Sequence, residues 1–370
     1  MRAIFRADSS LNIGTGHVMR CLALADTLSK RGVQCIFICR DHEGHSIQLI
    51  DQYGYQSLIL PTTRSDTKYN LDDTPYSRWL ATDWITDAED TRQVLLANRS
   101  SELPNWLIVD HYAIDQRWEG LLRSYVQHIM VIDDLADRYH NCDVLLDQNL
   151  ARKSSDYKGL LMPNTATLIG PQFSLLRPEF VSLRSKSLDR RNNNPNLKTI
   201  LISMGGIDRL NATEQALDVL KGCTFQASLQ IIVIMGSGAP WISHVEKKAA
   251  EMPWPTKVMT GVTNMAQLMA VSDLAIGAAG GTAWERCCLG LPSLVFSLAE
   301  NQTANAAALD NVGAAIALDN FQQIREIFDS WYSTRQTEFK LMMMSQAAAA
   351  VSDGYGCSRT VDYMMENTNV

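Results

Sequence analysis

The sequence predicts an α/β protein built from two doubly wound parallel sheets. Short apolar runs alternate with longer stretches in which apolar residues recur at three- and four-residue steps, the spacing of a helix. The short runs are apolar throughout, as in parallel strands that helices cover on both faces. A polar segment at 184–196 interrupts the alternation, which then restarts. These observations predict two Rossmann-like domains joined by a linker, with a ligand-binding cleft between them.

The apolar runs give the expected order of elements. In the first half, strands are predicted at 2–6, 34–39, 56–60, 106–109, 129–132 and 144–146, with helices near 17–31, 43–53, 81–98 and 115–127. In the second half, strands are predicted at 199–203, 229–235, 257–259, 274–277 and 293–296, and 321–365 is predicted to be helical. The expected domains are 1–185 and 197–345, followed by a C-terminal helix, 346–370, that packs back on the first domain. The polar stretch 61–78 is interpreted as a surface loop or, alternatively, a substrate lid.

Composition and charge exclude several classes of protein. The 370 residues include 33 Lys and Arg against 40 Asp and Glu, a net charge of −7, which argues against a nucleic-acid partner. Apolar windows are far shorter than the ~20 residues of a spanning helix, so no stable membrane association is expected. The N-terminus lacks a secretory pattern, and no cysteine belongs to a Cys-x-x-Cys pair. We therefore expect a cytoplasmic protein without a metal site.

The first candidate site joins the first predicted strand to the first predicted helix. It runs from Asp8 to His17 with the sequence DSSLNIGTGH, in which Gly14 and Gly16 permit tight turns and close approach of a ligand. His17 is expected in the first helical turn, where the amides, together with Arg20 on the same face, disfavour imidazolium. His17 is therefore a candidate general base. The alternative is a histidine that only hydrogen-bonds the helix end or a neighbouring loop. A third glycine is missing, so the segment supports NAD binding only weakly.

Further polar residues follow two later strands. Asp110-His111-Tyr112 comes directly after the strand at 106–109, where α/β sites collect side chains. Asp115 is better explained as a helix N-cap than as a catalytic residue. The carboxylates at 133–134 could bind a metal as a pair, but successive strand residues point to opposite faces.

Three glycine turns mark the second half, at 204–206, 235–238 and 277–282. Each follows an apolar strand and precedes a helical pattern, so backbone amides at a helix start can face an anionic group such as a diphosphate. Thr282 and Glu285 fit a capping box. The alternative is that Glu285 accepts hydrogen bonds from both hydroxyls of a ribose. Residues 300–302, Glu-Asn-Gln, follow the next strand and supply amides to the same face.

Together these motifs resemble those of the GT-B nucleotide-sugar enzymes. FRADSS and IGTGHVMRCLALA within 5–25, DHY at 110–112 and GGTAWE at 280–285 resemble one family among them. It comprises the UDP-sugar hydrolases of pseudaminic acid biosynthesis, which act on UDP-2,4-diacetamido-2,4,6-trideoxy-β-L-altropyranose. The resemblance covers nearly the whole chain. Its N-terminal motif is specific, whereas the glycine motifs are shared by the wider superfamily.

The resemblance implies roles for the matching positions. His17 would activate water, and Tyr112 and Asn301 match further active-site positions. The candidate substrate-binding residues are Asp8, Gly14, Gly16, Arg177, Gly205, Gly206, Gly236, Val262, Gly280, Gly281, Thr282, Glu285 and Gln302. Glu285 would hold the ribose, and Val262 lies where related folds recognise uracil. The implied partners are a UDP-sugar and water, with no cofactor, and base-assisted attack opposite UDP predicts inversion at the anomeric carbon.

Other functions remain open at this point. An inverting UDP-sugar glycosyltransferase would use the same fold, nucleotide pocket and a comparable histidine, and it should carry a basic-rimmed apolar patch for a membrane. The sequence offers only Arg64, Lys68 and Arg78 for such a patch. A hydrolysing UDP-sugar 2-epimerase would need several acidic residues around the sugar. A non-catalytic nucleotide-sugar sensor would keep Glu285 and the glycine turns but would need no base at position 17.

Overall fold

The computed structural model describes residues 1–61, 76–98 and 102–368. The chain forms two compact units, one of Met1–Arg177 with the chain from Gly356 onward, the other of Pro178–Tyr355. Each unit contains one sheet, and every strand pair within it is parallel. The predicted fold class, with two Rossmann-like halves, is therefore confirmed.

The first unit has a seven-stranded sheet in the order β3-β2-β1-β4-β5-β6-β7. Its strands are β1 (Arg2–Ala7), β2 (Gln34–Arg40), β3 (Gln56–Leu60), β4 (Trp106–Asp110), β5 (His128–Ile132), β6 (Val144–Asp147) and β7 (Ala166–Ile169). Its helices before the chain enters the second unit are α1 (Gly16–Lys30), α2 (Ile47–Gln52), α3 (Trp84–Ala97) and α4 (Gln116–Leu122). Two separate clusters of buried apolar residues lie on the two faces of this sheet. One contains residues of α1, and the other contains residues of α3 and α4, so helices cover both faces.

The strand order of the first sheet reverses between β1 and β4. The two strands pair in register, so that Ala7 lies opposite Asp110 at their carboxyl ends. In open α/β sheets such a reversal leaves a crevice beyond the strand ends, where ligands bind. The loop before His17 follows β1, and Tyr112 follows β4. Two segments far apart in sequence are thus brought to one edge of the sheet.

The second unit has a six-stranded sheet in the order β10-β9-β8-β11-β12-β13. Its elements in chain order are α5 (Pro178–Asn193), β8 (Thr199–Ser203), α6 (Ala212–Lys221), β9 (Gln230–Met235), α7 (Ile242–Ala250), β10 (Thr256–Thr260), α8 (Met265–Val271), β11 (Leu274–Ala278), α9 (Thr282–Cys288), β12 (Ser293–Phe296), α10 (Thr303–Asn311), β13 (Ala315–Leu318), α11 (Gln322–Ser333) and α12 (Thr337–Val351). The order reverses between β8 and β11, which defines a second switch point. The edge strands β7 and β13 were missing from the sequence prediction.

The predicted linker is wrong for residues 184–193. These residues belong to α5, and the loop between α5 and β8 is only 194–198. Arg191 is 4% exposed and donates to the carbonyls of Met269, Ser272 and Leu289. The polar composition therefore reflects a helix whose arginine satisfies carbonyls at the ends of other helices. The expected boundary at residue 185 falls inside α5, and the structure divides the chain at Arg177 and Pro178.

The expected boundary at residue 346 falls inside α12, and the chain leaves the second unit at Tyr355. The last helix, α13 (Gly356–Glu366), belongs to the first unit. Cys357, Val361 and Met364 enter the same buried cluster as α1. Just after the end of α13, the Thr368 hydroxyl accepts a hydrogen bond from the indole N–H of Trp106 at 2.8 Å. The last helix is therefore part of the hydrophobic core beside β1 and β4.

Two further expectations concern the surface. Most of the polar stretch at 61–78, interpreted as a loop or lid, lies outside the described residues. Within the described residues, no helix has the length and apolar character needed to cross a bilayer.

Candidate active site

His17 is the second residue of α1, as predicted from the sequence. The chain leaves β1 at Ala7 and turns before the helix, where the amide of Gly14 donates to the Ser10 carbonyl at 2.8 Å. Gly14 has a φ of 81°, a left-handed conformation that a side chain would strain. The turn thus places the His17 ring at the switch point of the first sheet.

His17 forms a pair with a buried carboxylate. Its Nδ1 lies 2.6 Å from Oδ1 of Asp110, the last residue of β4, and the two side chains are 8% and 0% exposed. With Nδ1–H donated to the carboxylate, the lone pair of the imidazole is on Nε2. This is the arrangement of an oriented general base, in which the carboxylate fixes the tautomer and stabilises the imidazolium formed.

Arg20 completes a network around this pair. It donates from Nε and Nη2 to the two oxygens of Asp110 at 2.6 and 2.7 Å, and from Nη1 to Asp134 at 2.6 Å. Burial alone would raise the pKa of Asp110, but Arg20 and His17 outweigh it and hold this pKa well below its usual range. Asp110 therefore stays ionised. Arg20 was expected to disfavour a charged His17, whereas in the structure two carboxylates neutralise the Arg20 charge.

Tyr112 lies against His17. The two rings are 4.7 Å apart at 85°, and the Tyr112 hydroxyl donates to Asp134 at 2.7 Å. Burial, followed by the charge of Asp134, raises the pKa of Tyr112 well above its usual value, so the phenol keeps its proton. Tyr112 can orient groups at this edge of the sheet, but it cannot serve as a base at neutral pH.

Asp8 has a different environment from the one expected. It is fully buried, and Oδ1 accepts hydrogen bonds from Arg6 at 2.6 Å and from the amide of Arg40 at 2.7 Å. Its other oxygen lies 3.3 Å from the ring nitrogens of both His42 and His111. The Asp8 carboxylate is thus held by protein groups at both oxygens, and its role in substrate binding stays a prediction. It fixes the start of the loop that leads to His17.

Two other carboxylate assignments agree with the sequence interpretation. Asp115 caps α4, accepting from the amide of Arg117 at 2.9 Å. Asp134 binds Arg20 and Tyr112, whereas its neighbour Asp133 accepts from the Tyr157 hydroxyl at 2.9 Å. The two neighbouring carboxylates, Asp133 and Asp134, thus bind different partners.

The glycine turns of the second unit meet at its own switch point. A Cβ added at Gly236 would lie 2.1 Å from the carbonyl oxygen of Gly206, so the turns after β8 and β9 pack backbone to backbone. Gly205 is the residue before Gly206 in the turn after β8. A Cβ at Gly280 would lie 3.4 Å from Nε2 of Gln302, which places the turns after β11 and β12 side by side. Four loops of predicted binding residues therefore cluster at one edge of the second sheet.

We expect Gly236→Ala to destabilise the second unit by about 1–3 kcal/mol, because the methyl group has no room beside the Gly206 backbone. Denaturant unfolding measures this loss. Gly238→Ala is the matched control, since a Cβ there meets no heavy atom within 4 Å. Equal stability of the two variants would show that the turns do not pack as described.

The start of α9 differs from the one that the capping-box interpretation assumed, with Thr282 as N-cap. Its N-cap residue is Gly281, which makes no side-chain capping bond, and Thr282 is the first helical residue. Glu285 lies in the first turn of the helix. Thr282 is thus not the N-cap residue of α9, and the ribose interpretation of Glu285 stays a proposal.

A buried arginine that the sequence analysis did not single out supports the β11 turn. Arg286 is 2% exposed and donates from Nη2 to the carbonyl of Ala278 at 2.7 Å. No carboxylate of the described chain forms an ion pair with it. Burial lowers the pKa of Arg286 to about 10, so the guanidinium remains charged at neutral pH. A positive charge therefore lies beneath the turn that precedes α9.

The remaining predicted residues lie in four places. Asn301 and Gln302 form a single 3-10 turn, and Oε1 of Gln302 accepts from the amide of Leu298 at 3.1 Å. Val262 is partly buried and follows β10. Arg177 is 9% exposed and is the residue before α5. Gly16 begins α1 and is exposed.

Comparisons with known proteins agree with the fold described above. Residues 199–354 match the glycosyltransferase family 28 C-terminal domain. The UDP-2,4-diacetamido-2,4,6-trideoxy-beta-L-altropyranose hydrolase of Campylobacter jejuni is 27% identical, over 85% of this chain and 97% of its own. The protein MJ1062 of Methanocaldococcus jannaschii is 24% identical over 80% of this chain, and the match spans only 55% of that relative. MurG of Acinetobacter baumannii has a TM-score of 0.69 at 16% identity, with 99% of both chains covered. The chain therefore has the fold of the GT-B glycosyltransferases and is a relative, over most of its length, of a hydrolase of a UDP-sugar.

Proposed function

We propose that the protein is a hydrolase that cleaves UDP from UDP-2,4-diacetamido-2,4,6-trideoxy-β-L-altropyranose, in pseudaminic acid biosynthesis. The observation that carries the proposal is the His17–Asp110 pair at the switch point of the first sheet. The Campylobacter relative supports the choice of substrate. All eight cysteines are buried and free, which supports a reducing compartment such as the cytoplasm.

His17 takes the role of general base. Nε2 accepts a proton from water as the water oxygen attacks the anomeric carbon, while Nδ1–H stays bonded to Asp110. The bond between this carbon and the diphosphate oxygen breaks, and UDP leaves as a stable anion that needs little or no protonation. The base accounts for about 10²–10⁴-fold of the rate. Attack opposite the leaving group inverts the anomeric centre.

The second unit takes the role of nucleotide binding. Backbone amides of Gly205, Gly206, Gly236, Gly280 and Gly281 are assigned to the diphosphate, which suits a protein of net charge −7. The buried guanidinium of Arg286 adds positive potential beneath the same turns. Glu285 and Thr282 are assigned to the ribose, Val262 to the uracil, and Asn301 and Gln302 to the substrate beside them.

A second candidate is an inverting glycosyltransferase. The match of residues 199–354 to the glycosyltransferase family 28 C-terminal domain favours it. The oriented base would then take its proton from the hydroxyl of an acceptor rather than from water, and the nucleotide-binding turns would keep their role. The two candidates differ only in which nucleophile His17 serves.

Incubation of the protein with the UDP-sugar, without acceptor or added metal, tests the proposal. We expect stoichiometric UDP and free sugar by NMR, and the first-formed sugar should have the opposite anomeric configuration. Buffer without protein is the control. Tight UDP binding without release would contradict hydrolysis and favour the transferase. Release with retained configuration would contradict direct attack by a base-activated water.

A further inference from the structure

A short segment with no assigned role ends beside His17. Residues Ser77–Leu80 form a 3-10 helix, and Tyr76 precedes it. Leu80 is 1% exposed and belongs to the core on one face of the first sheet, with Tyr76 and Trp79 packed against the same core. Asp83 then caps α3 by accepting from the amide of Thr86 at 2.9 Å. Trp79 therefore belongs to a segment that packs into the core through Leu80 and leads directly into the capped start of α3.

The Trp79 ring contacts the aromatic residues of the candidate site. It stacks on Tyr112 at 5.4 Å and 21°, and it meets His17 at 5.9 Å and 76°. It also lies 6.4 Å from the ring of His111 and 4.9 Å from that of Tyr76. Tyr76 in turn contacts Tyr112 at 5.2 Å. The base and three side chains around it thus share one indole as a neighbour.

These contacts have two physical consequences. An indole stacked on the Tyr112 ring restricts its rotation, so the hydroxyl stays directed at Asp134, its partner at 2.7 Å. An indole at the edge of His17 occupies space that water would otherwise fill, and the His17 side chain is only 8% exposed. A drier surrounding strengthens the hydrogen bond between the imidazole and Asp110.

We propose that Trp79 is a positioning residue that shields the His17–Asp110 pair from bulk water and fixes the Tyr112 ring. Its effect on turnover rests on the proposed function. Its effect on the accessibility of His17 does not, and the two are measured separately.

The first experiment measures the reaction of His17 with diethyl pyrocarbonate, mapped by peptide mass spectrometry. We expect roughly a three- to tenfold faster modification in Trp79→Ala, because the reagent reaches Nε2 more easily. Trp79→Phe should react at nearly the wild-type rate, since a smaller aromatic ring still covers the imidazole. Trp84→Ala is the matched control, a tryptophan of the same unit that stacks on Arg117 at 4.9 Å. His140, only 1% exposed, should stay unmodified in every folded variant.

The second experiment measures kinetics. Trp79→Ala should lower kcat by about 10–10²-fold through misplacement of the base, with the Kd of UDP unchanged, and Trp79→Phe should restore most of the rate. Wild-type His17 reactivity in a stably folded Trp79→Ala variant would overturn the proposal. If the wild-type protein releases no UDP, the proposed function fails, and the modification rates still decide the role of Trp79.

Discussion

Replacement of His17 by alanine is expected to lower kcat for UDP release by about 10²–10⁴-fold, the contribution of a general base. The Kd of UDP should stay near the wild-type value, because the residues assigned to the nucleotide belong to the second unit. Single-turnover kinetics and calorimetric titration with UDP measure the two quantities. His244→Ala, an exposed histidine of α7, is the control and should match wild type in both.

Asp110→Asn tests whether the carboxylate orients the base. Asparagine keeps the shape of the side chain but removes the charge that stabilises the imidazolium, so kcat should fall toward the His17→Ala value. The double variant should be little worse than either single variant, because the two residues act as a unit. A loss of UDP affinity that parallels the loss of kcat in His17→Ala would make His17 a structural residue.

The largest loss of stability is expected for Asp87→Asn. Asp87 is fully buried and accepts from Arg6 at 2.8 Å, from Arg40 at 2.8 Å and from the indole of Trp118 at 2.9 Å. Removing its charge leaves two buried guanidinium groups without their shared partner, at a cost of about 3–5 kcal/mol in the free energy of unfolding. Urea denaturation followed by far-UV circular dichroism measures the change. Glu89→Gln on the same helix is the control, since Glu89 and Arg92 form an exposed pair that contributes little.

The same cluster makes stability depend on pH. Burial alone would raise the pKa of Asp87, but Arg6 and Arg40 outweigh it and lower this pKa; Arg6 lowers that of Asp8 in the same way. A lowered pKa gives stability that is complete above the unfolded-state value of about 4 and is lost as the pH falls. The urea midpoint of wild type should therefore fall on acidification, and more steeply than that of Asp87→Asn. Equal slopes for wild type and Asp87→Asn, or a loss of stability in Asp87→Asn as small as that in Glu89→Gln, would contradict the ionic cluster.

The sequence was sufficient to locate His17 and the two sheets, because both depend on local patterns. A helix spacing that begins after Gly16 places His17 in the first turn, and continuous apolar runs predict parallel strands. The partner of His17 could not be read in this way, because it depends on β1 pairing with β4 rather than with β2 alone. A signal was present nonetheless: Asp110 is a carboxylate at the end of a buried strand.

Other features that the sequence did not predict correctly also have physical explanations. The edge strands Ala166–Ile169 and Ala315–Leu318 are short and only partly buried, unlike the fully buried strands of the same length that were predicted. The polar segment at 184–196 resembled a linker because composition does not reveal that Arg191 is buried against carbonyls. Trp79 was not singled out from the sequence, since ring contacts between distant residues leave no periodic trace.

The return of α13 to the first unit determines the order in which the halves can mature during synthesis. The second unit is one continuous segment, Pro178–Tyr355, and domains generally fold as units while the chain is still being made. The first unit lacks Cys357, Val361 and Met364 from its core until the chain beyond the second unit has been made. The half that carries His17 therefore completes its core after the half assigned to the nucleotide, although its sequence begins first.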